Sequence, residues 1–161
     1  MTVSSIASSY VGAKIGLQTA DTIPQFSPGT RVDGDMGGLY IYGLASAAIA
    51  QGDFVVFNNN YSASLLTTTN SQRGAKVAVS RAPLAANQYG WFQVEGQAAG
   101  RTVAAVAANA QLNTTATGGA VDDDAAVGAK RIEAIAILVA AAGATTNTEF
   151  MLSSPYVGAT L

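Results

Sequence analysis

The chain contains no cysteine and no histidine, and only 18 of its 161 residues are formally charged, eight basic and ten acidic. Without these two residue types there is no disulfide, no thiol nucleophile and no imidazole acid–base chemistry. Zinc and haem sites of the ordinary kinds are excluded with them. The five Arg and three Lys are scattered, and only Lys130 and Arg131 are adjacent. No basic patch is therefore expected, and no nucleic-acid partner. Long apolar runs are also missing. The most apolar segment, Ile135 to Gly143, has nine residues, about half of what a helix needs to cross a bilayer. The start is Ser-rich and lacks an apolar signal core. These features predict a soluble chain with no membrane partner.

Small residues fill the space that charge leaves. Ala, Gly, Thr and Ser number 32, 17, 15 and 12. Aromatic and larger aliphatic side chains still occur in clusters, which suits one sizeable core. Between Met36 and Gln72 the only charged residue is Asp53. A surface so poor in charge suits an assembly better than a solitary domain.

From Thr30 onward the pattern is short and β-like. Leu39–Tyr42 alternates between two faces and is bounded by glycines. Phe54–Phe57 stops at Asn58-Asn59-Asn60, with Ala63 to Thr67 as the partner across that turn. Lys76–Val79 follows. Trp91 to Glu95 alternates, with Phe92 and Val94 on one face. Gln111–Thr115 and Ala120-Val121 flank the turn Gly118-Gly119, and Ile132–Val139 and Glu149–Leu152 complete the set. This predicts an all-β fold, a small β-barrel or β-sandwich of about seven to nine short strands. Two segments also fit a helix: Ile132, Ile135 and Val139 by spacing, and the Ala-rich stretch around Val103, Val106 and Ala110 by propensity.

Residues 1–29 read as an extended N-terminal arm and residues 30–161 as a single β domain. Pro24, Pro28 and several glycines break any helix in the arm, yet it holds spaced apolar residues. Ile6, Tyr10, Val11, Ile15 and Leu17 are the expected gripping side chains, with a hinge from Thr22 to Gly29.

One local unit recurs: Ile49-Ala50-Gln51-Gly52, Leu84-Ala85-Ala86-Asn87 and Val106-Ala107-Ala108-Asn109. Gly and Asn are the residues that most easily take positive φ. Each unit is therefore expected to be a tight turn that feeds a strand, its aliphatic residue held in the core. The units begin at positions 49, 84 and 106, and this unequal spacing is not the fixed period of a solenoid.

Candidates for chemistry are few. Asp122-Asp123-Asp124 lacks the alternating spacing of a calcium loop and reads as a solvated turn. Asp33-Gly34-Asp35 reads the same way. No phosphate loop or dinucleotide fingerprint is present. No catalytic, cofactor or metal residue is predicted, so the expectation is a protein that is not an enzyme. Tyr40, Tyr42, Tyr89 and Trp91, by contrast, are candidates for either an interface or the core.

Four stretches, in this order, resemble the head-decoration (capsid cement) proteins of tailed bacteriophages. They are Thr19–Thr22 with Pro28-Gly29-Thr30; Leu39–Tyr42 with Ala45–Asp53; Gln88-Tyr89-Gly90-Trp91-Phe92-Gln93-Val94-Glu95-Gly96; and Thr114–Gly119 with Val121–Asp123. The resemblance spans residues 19–157. It implies a structural virion protein on the capsid exterior, made in the host cytoplasm. The implied partner is the phage major capsid protein and the implied state a homo-oligomer, with a trimer favoured. An alternative from the residues themselves is a carbohydrate or cell-surface binding module of a tail or fibre. In that case Tyr40, Tyr42, Tyr61, Tyr89 and Trp91 would be exposed to stack on sugars.

Overall fold

The computed structural model describes residues 19–34, 37–103, 105–141 and 147–161. Among them are ten β-strands and no α-helix. They run β1 (Arg31–Asp33), β2 (Leu39–Ala45), β3 (Phe54–Phe57), β4 (Ser62–Leu65), β5 (Val77–Ser80), β6 (Tyr89–Arg101), β7 (Leu112–Thr114), β8 (Val121–Asp122), β9 (Lys130–Ile137) and β10 (Asn147–Thr160). The Ala-rich stretch near Val106 is not helical. Val106 pairs with Ala141 as a β-bridge, and Asn109 takes a φ of 60° that a helix cannot contain.

The strands follow the order β1-β2-β4-β3-β5-β6-β10-β9-β7-β8. β2 also pairs with β6, which closes β2, β4, β3, β5 and β6 into a five-stranded barrel. Every pairing in this ring is antiparallel except β2 with β4, where Leu44 and Ala45 face Ser62 and Ala63 in parallel.

The remaining strands repeat this plan. The second half of β6 pairs antiparallel with β10, β10 with β9, β9 with β7, and β7 with β8. A parallel bridge from Thr102, just past β6, to Val121 on β8 closes this second ring. β6 is therefore the last strand of one barrel and the first of the next. In each barrel a single bridge ties two connections together: Ile49 with Leu84, then Val106 with Ala141. Both ends of the second bridge are displaced from the first by the same interval, from 49 to 106 and from 84 to 141. The molecule is two barrels of one topology in tandem.

The recurring unit of the sequence punctuates both barrels. Gly52, Asn87 and Asn109 have φ of 86°, 66° and 60°. In each unit the residue after closes a four-residue turn: Asp53 N–H donates to Ala50 O, Gln88 N–H to Ala85 O and Ala110 N–H to Ala107 O. Positive φ at the third position alone makes these type II turns. Gly96 has another special backbone, with φ 83° in the middle of β6, beside the irregular register of Leu39 and Tyr40 against Glu95 and Gln93. Before it, Phe92 and Val94 fill the first barrel; after it, Ala98 belongs to the core of the second.

Three cores result. Ile41, Val55, Phe57, Ala78, Leu84, Phe92 and Val94 fill the first barrel. Leu112, Val121, Ile132, Ile137, Phe150 and Leu152 fill the second, and the same cluster takes in Phe54, Val56, Val77 and Val79 from the first. Phe54 meets Phe150 edge-on at 5.1 Å, so the barrels share apolar contact as well as a strand. The third core is aromatic.

Candidate functional site

The third core contains the four aromatic residues singled out by composition. Tyr40 and Tyr42 alternate with Ile41 on β2, so they face away from the first barrel's interior. Tyr89 and Trp91 sit on the paired end of β6, where Tyr42 faces Trp91. Tyr40, Tyr42 and Trp91 are 1%, 0% and 1% exposed, and Tyr89 is half-buried. Val32 from β1 and Phe26 complete the cluster.

The cover comes from residues 19–29, the described part of the segment expected as an arm. Asp21 and Tyr89 exchange both backbone hydrogen bonds, each at 2.8 Å. Phe26 places its ring 5.4 Å from both Tyr42 and Trp91. The Tyr42 hydroxyl donates to Asp21 Oδ2 at 2.5 Å and accepts from Gln25 N–H at 3.2 Å. Burial, and then the hydrogen bond to Asp21, push the Tyr42 phenol from 10.0 up to about 12. The hydroxyl is consumed internally and stays neutral at physiological pH. Ile6, Tyr10, Val11, Ile15 and Leu17 lie outside the described residues.

Three of the acidic residues, Asp53, Asp122 and Asp123, serve turns and loops. Asp53 Oδ2 accepts the Ala50 N–H at 2.8 Å, capping the turn that Asp53 itself closes. Gln88 does the same for Ala85 at 2.7 Å. The third unit has Ala110 at that place, and Asp123 reaches across from another loop to accept the Ala107 N–H at 2.9 Å. Asp122 Oδ1 accepts the Asp123 N–H at 2.8 Å. Burial raises the pKa of Asp122, opposed by the backbone N–H groups of Asp124 and Asp123. No group of three or more acidic residues is arranged to hold a metal ion among the described residues.

Asp53 is the one buried carboxylate among the described residues. Burial raises its pKa, while the Ala50 N–H and the Arg101 guanidinium work against the rise. Arg101 Nε lies 3.3 Å from Asp53 Oδ1 but is not aligned as a hydrogen bond. Arg101 Nη2 instead donates to Gly118 O. Through this pair and the bond to Gly118 the first barrel is joined to the β7–β8 hairpin.

One concave feature was not legible in the sequence. A polar groove of about 550 Å³ runs between the Asn58–Asn60 hairpin tip and residues 70–75, with Val56 and Phe57 as its floor. A second hollow continues it past Tyr61 and Lys76. These residues come from separate loops, brought together by the β3–β4 and β3–β5 pairings and by the bonds of Gly74 and Ala75 to Val157 on β10. No protein-family model matches the chain, and no curated protein matches it.

Proposed function

We propose that the protein is a non-enzymatic structural component of a bacteriophage virion. In this reading it binds the outer surface of the assembled capsid, contacts the major capsid protein and braces the shell. The observation that carries the choice is the sealed aromatic cluster. A sugar-stacking module needs aromatic faces open to solvent, and Trp91, Tyr42 and Tyr40 are at most 1% exposed, with Tyr61 and Tyr89 half-buried. Those rings hold residues 19–29 against the first barrel instead. Asp53 and Asp123 cap turns, and Asp21, Glu95 and Glu149 bond side chains in separate parts of the fold.

Bracing is a passive mechanism. A shell fails at the joints between its subunits, and a clamp that contacts neighbours adds buried area across those joints. A specific interface of this kind buries about 1,600 Å² in total, and a homo-oligomer, a trimer above all, multiplies each contact by avidity. Exposed Leu138, Val139 and Met151 at one end of the β9–β10 pair supply apolar area for such contacts.

The test uses purified shells of the phage that encodes the chain. The full chain should co-sediment with expanded shells at fixed stoichiometry and raise the temperature at which they break. Removal of residues 1–18 should weaken that binding, and native mass spectrometry should show an oligomer. A chain that neither sediments with shells nor shifts their breakage is not a cement protein.

A further inference from the structure

The two barrels provide an internal control for the groove. Turn Gln72–Ala75 and turn Ala126–Ala129 are counterparts: each closes with an N–H to C=O bond, at 3.0 and 2.9 Å, and has Gly at positive φ, 83° and 85°. Each is followed by a lysine at the entrance to a strand, Lys76 before β5 and Lys130 opening β9. The scaffold is shared but the side chains are not. Gln72 and Arg73 in the first barrel stand where the second has Ala126 and Val127. The hairpin tips differ likewise. The first carries Asn58-Asn59-Asn60, while the second runs through Thr115-Ala116-Thr117-Gly118. The second tip is docked, since a Cβ on Gly118 would lie 3.1 Å from Leu65. The turn and strand are thus built without amides or a guanidinium in one barrel, so the fold does not require them in the other.

The groove's polar groups divide into two sets. Asn58 and Asn70 build its walls. Asn58 Oδ1 accepts the N–H groups of Asn60 and Ser62 at 2.9 and 3.0 Å, and Asn70 Oδ1 accepts the Thr67 N–H at 2.9 Å. Asn59, Asn60, Gln72 and Arg73 also line the groove, and their side chains make no hydrogen bond to another described residue. Across both hollows the described lining includes two cations, Arg73 and Lys76, and no carboxylate, although the chain as a whole carries a net charge of −2.

We propose that this groove is a binding site for an acidic glycan, a sugar chain bearing carboxylates. A side-chain amide offers a donor and an acceptor together, which matches the hydroxyls of a sugar ring. The Arg73 guanidinium matches a carboxylate through two parallel N–H donors. The volume of about 550 Å³ lies inside the usual range for small-ligand sites, about 300–1,000 Å³. Because these side chains are exposed, single-site affinity is modest.

The inference is independent of the capsid reading, and its test needs only the purified full chain. Binding of trigalacturonate, neutral maltotriose and inorganic phosphate is measured by titration calorimetry and amide NMR shifts. The expected result is saturable trigalacturonate binding, with a Kd of about 1 mM or tighter. Maltotriose and phosphate should each bind about tenfold or more weaker. Arg73→Ala and Asn60→Ala should each lose about tenfold for trigalacturonate with an unchanged melting temperature, and Val127→Ala should lose nothing. Absence of saturable trigalacturonate binding would overturn the proposal. So would an Arg73→Ala protein that binds as tightly as the parent. Phosphate binding as tight as trigalacturonate would reduce the groove to a simple anion site and overturn it equally.

Discussion

The two barrels share a connectivity but not a filling. Phe57 and Phe92 pack edge-on at 5.2 Å inside the first barrel. The second holds Leu112, Ile132, Ile137 and Leu152 around Phe150. Strands β3 to β5 have four residues each, whereas the second ring has β7 and β8 of three and two residues beside β9 of eight and β10 of fourteen. The longer pair is interrupted: Ala134 and Ser154 have φ of 58°, at the shift in register between Leu152 and Tyr156. Such bulges bend and twist a long strand, so it stays wrapped on its barrel. One ring plan thus accepts two different cores. The first barrel, with its aromatic cap and amide-lined groove, carries the specialised surface, and the second is the plainer copy.

The largest effect should come from emptying either core. Phe92→Ala and Phe150→Ala should each cost about 3–5 kcal/mol. Because Phe54, Val56 and Val77 cluster with the second barrel's core, the parent should unfold in one calorimetric transition. Two resolved transitions, only one of them moved by Phe150→Ala, would show that the barrels melt separately.

Gly96 sharpens the comparison at the strand they share. Its φ is 83°, and an added Cβ would meet Gly37 O and the Gly38 backbone at 3.0 Å. Backbone cannot swing aside as a side chain does, so Gly96→Ala should cost about 2–4 kcal/mol, left-handed strain plus overpacking. Gly128→Ala, at a φ of 85° with open space around it, should lose only the strain, about 1–2 kcal/mol. Equal losses in urea denaturation would show that crowding at Gly96 contributes nothing.

The aromatic cap should give the first barrel an alkaline sensitivity. Raising the Tyr42 pKa from 10.0 to about 12 means that the folded state holds this proton more tightly than the unfolded chain. Stability should therefore be unaffected below pH ~10 and fall as pH rises from ~10 toward ~12, by about 2–3 kcal/mol in all. A spectrophotometric titration should show a late phenolate step that is lost with Tyr42→Phe. A titration unchanged by that substitution would contradict the sealed geometry.

The turn caps should show the smallest differences. Gln88→Ala removes the acceptor for the Ala85 N–H and should cost about 1 kcal/mol in thermal melts. Asp53 behaves differently because burial raises its pKa. Its carboxyl binds a proton more tightly when folded, so this group's contribution to stability should improve as pH falls from its raised folded pKa toward the ordinary value of 3.8. Asp53→Asn should flatten that part of the stability profile, whereas Gln88→Ala should shift it uniformly.

Much of the local structure was legible beforehand. The alternation at Trp91–Glu95 placed Phe92 and Val94 on one face, and they fill the first barrel together. The unit at positions 49, 84 and 106 foretold three turns with positive φ, and all three form. Its first and third copies, at 49 and 106, are equivalent points of the two barrels, yet the duplication stayed hidden. The fourth position, Ala141, is followed by Ala142-Gly143-Ala144 rather than the full pattern. The two Gly-Ala-Lys turns, at 74–76 and 128–130, fall slightly closer together than the two bridges do, so no single offset aligns the halves. The role of Phe26 in the aromatic cluster had no local signal, because its partners lie on β2 and β6.

Residue types and short-range patterning alone established the all-β class, the sites of several turns, including the three at positions 49, 84 and 106, and the exclusion of imidazole and thiol chemistry. These depend on residue type, on φ preference and on an alternation that plays out within a short stretch of chain. The tertiary structure decided that two rings close, that one strand serves both, that the aromatic face is covered and that the amides of distant loops line one groove. The physical reason is range. Ring closure and burial depend on which strands meet, and the decisive meetings, Tyr42 with Trp91 and Phe54 with Phe150, join segments far apart in the chain. No local preference specifies such a meeting. It is selected by the summed packing and hydrogen bonding of the whole chain.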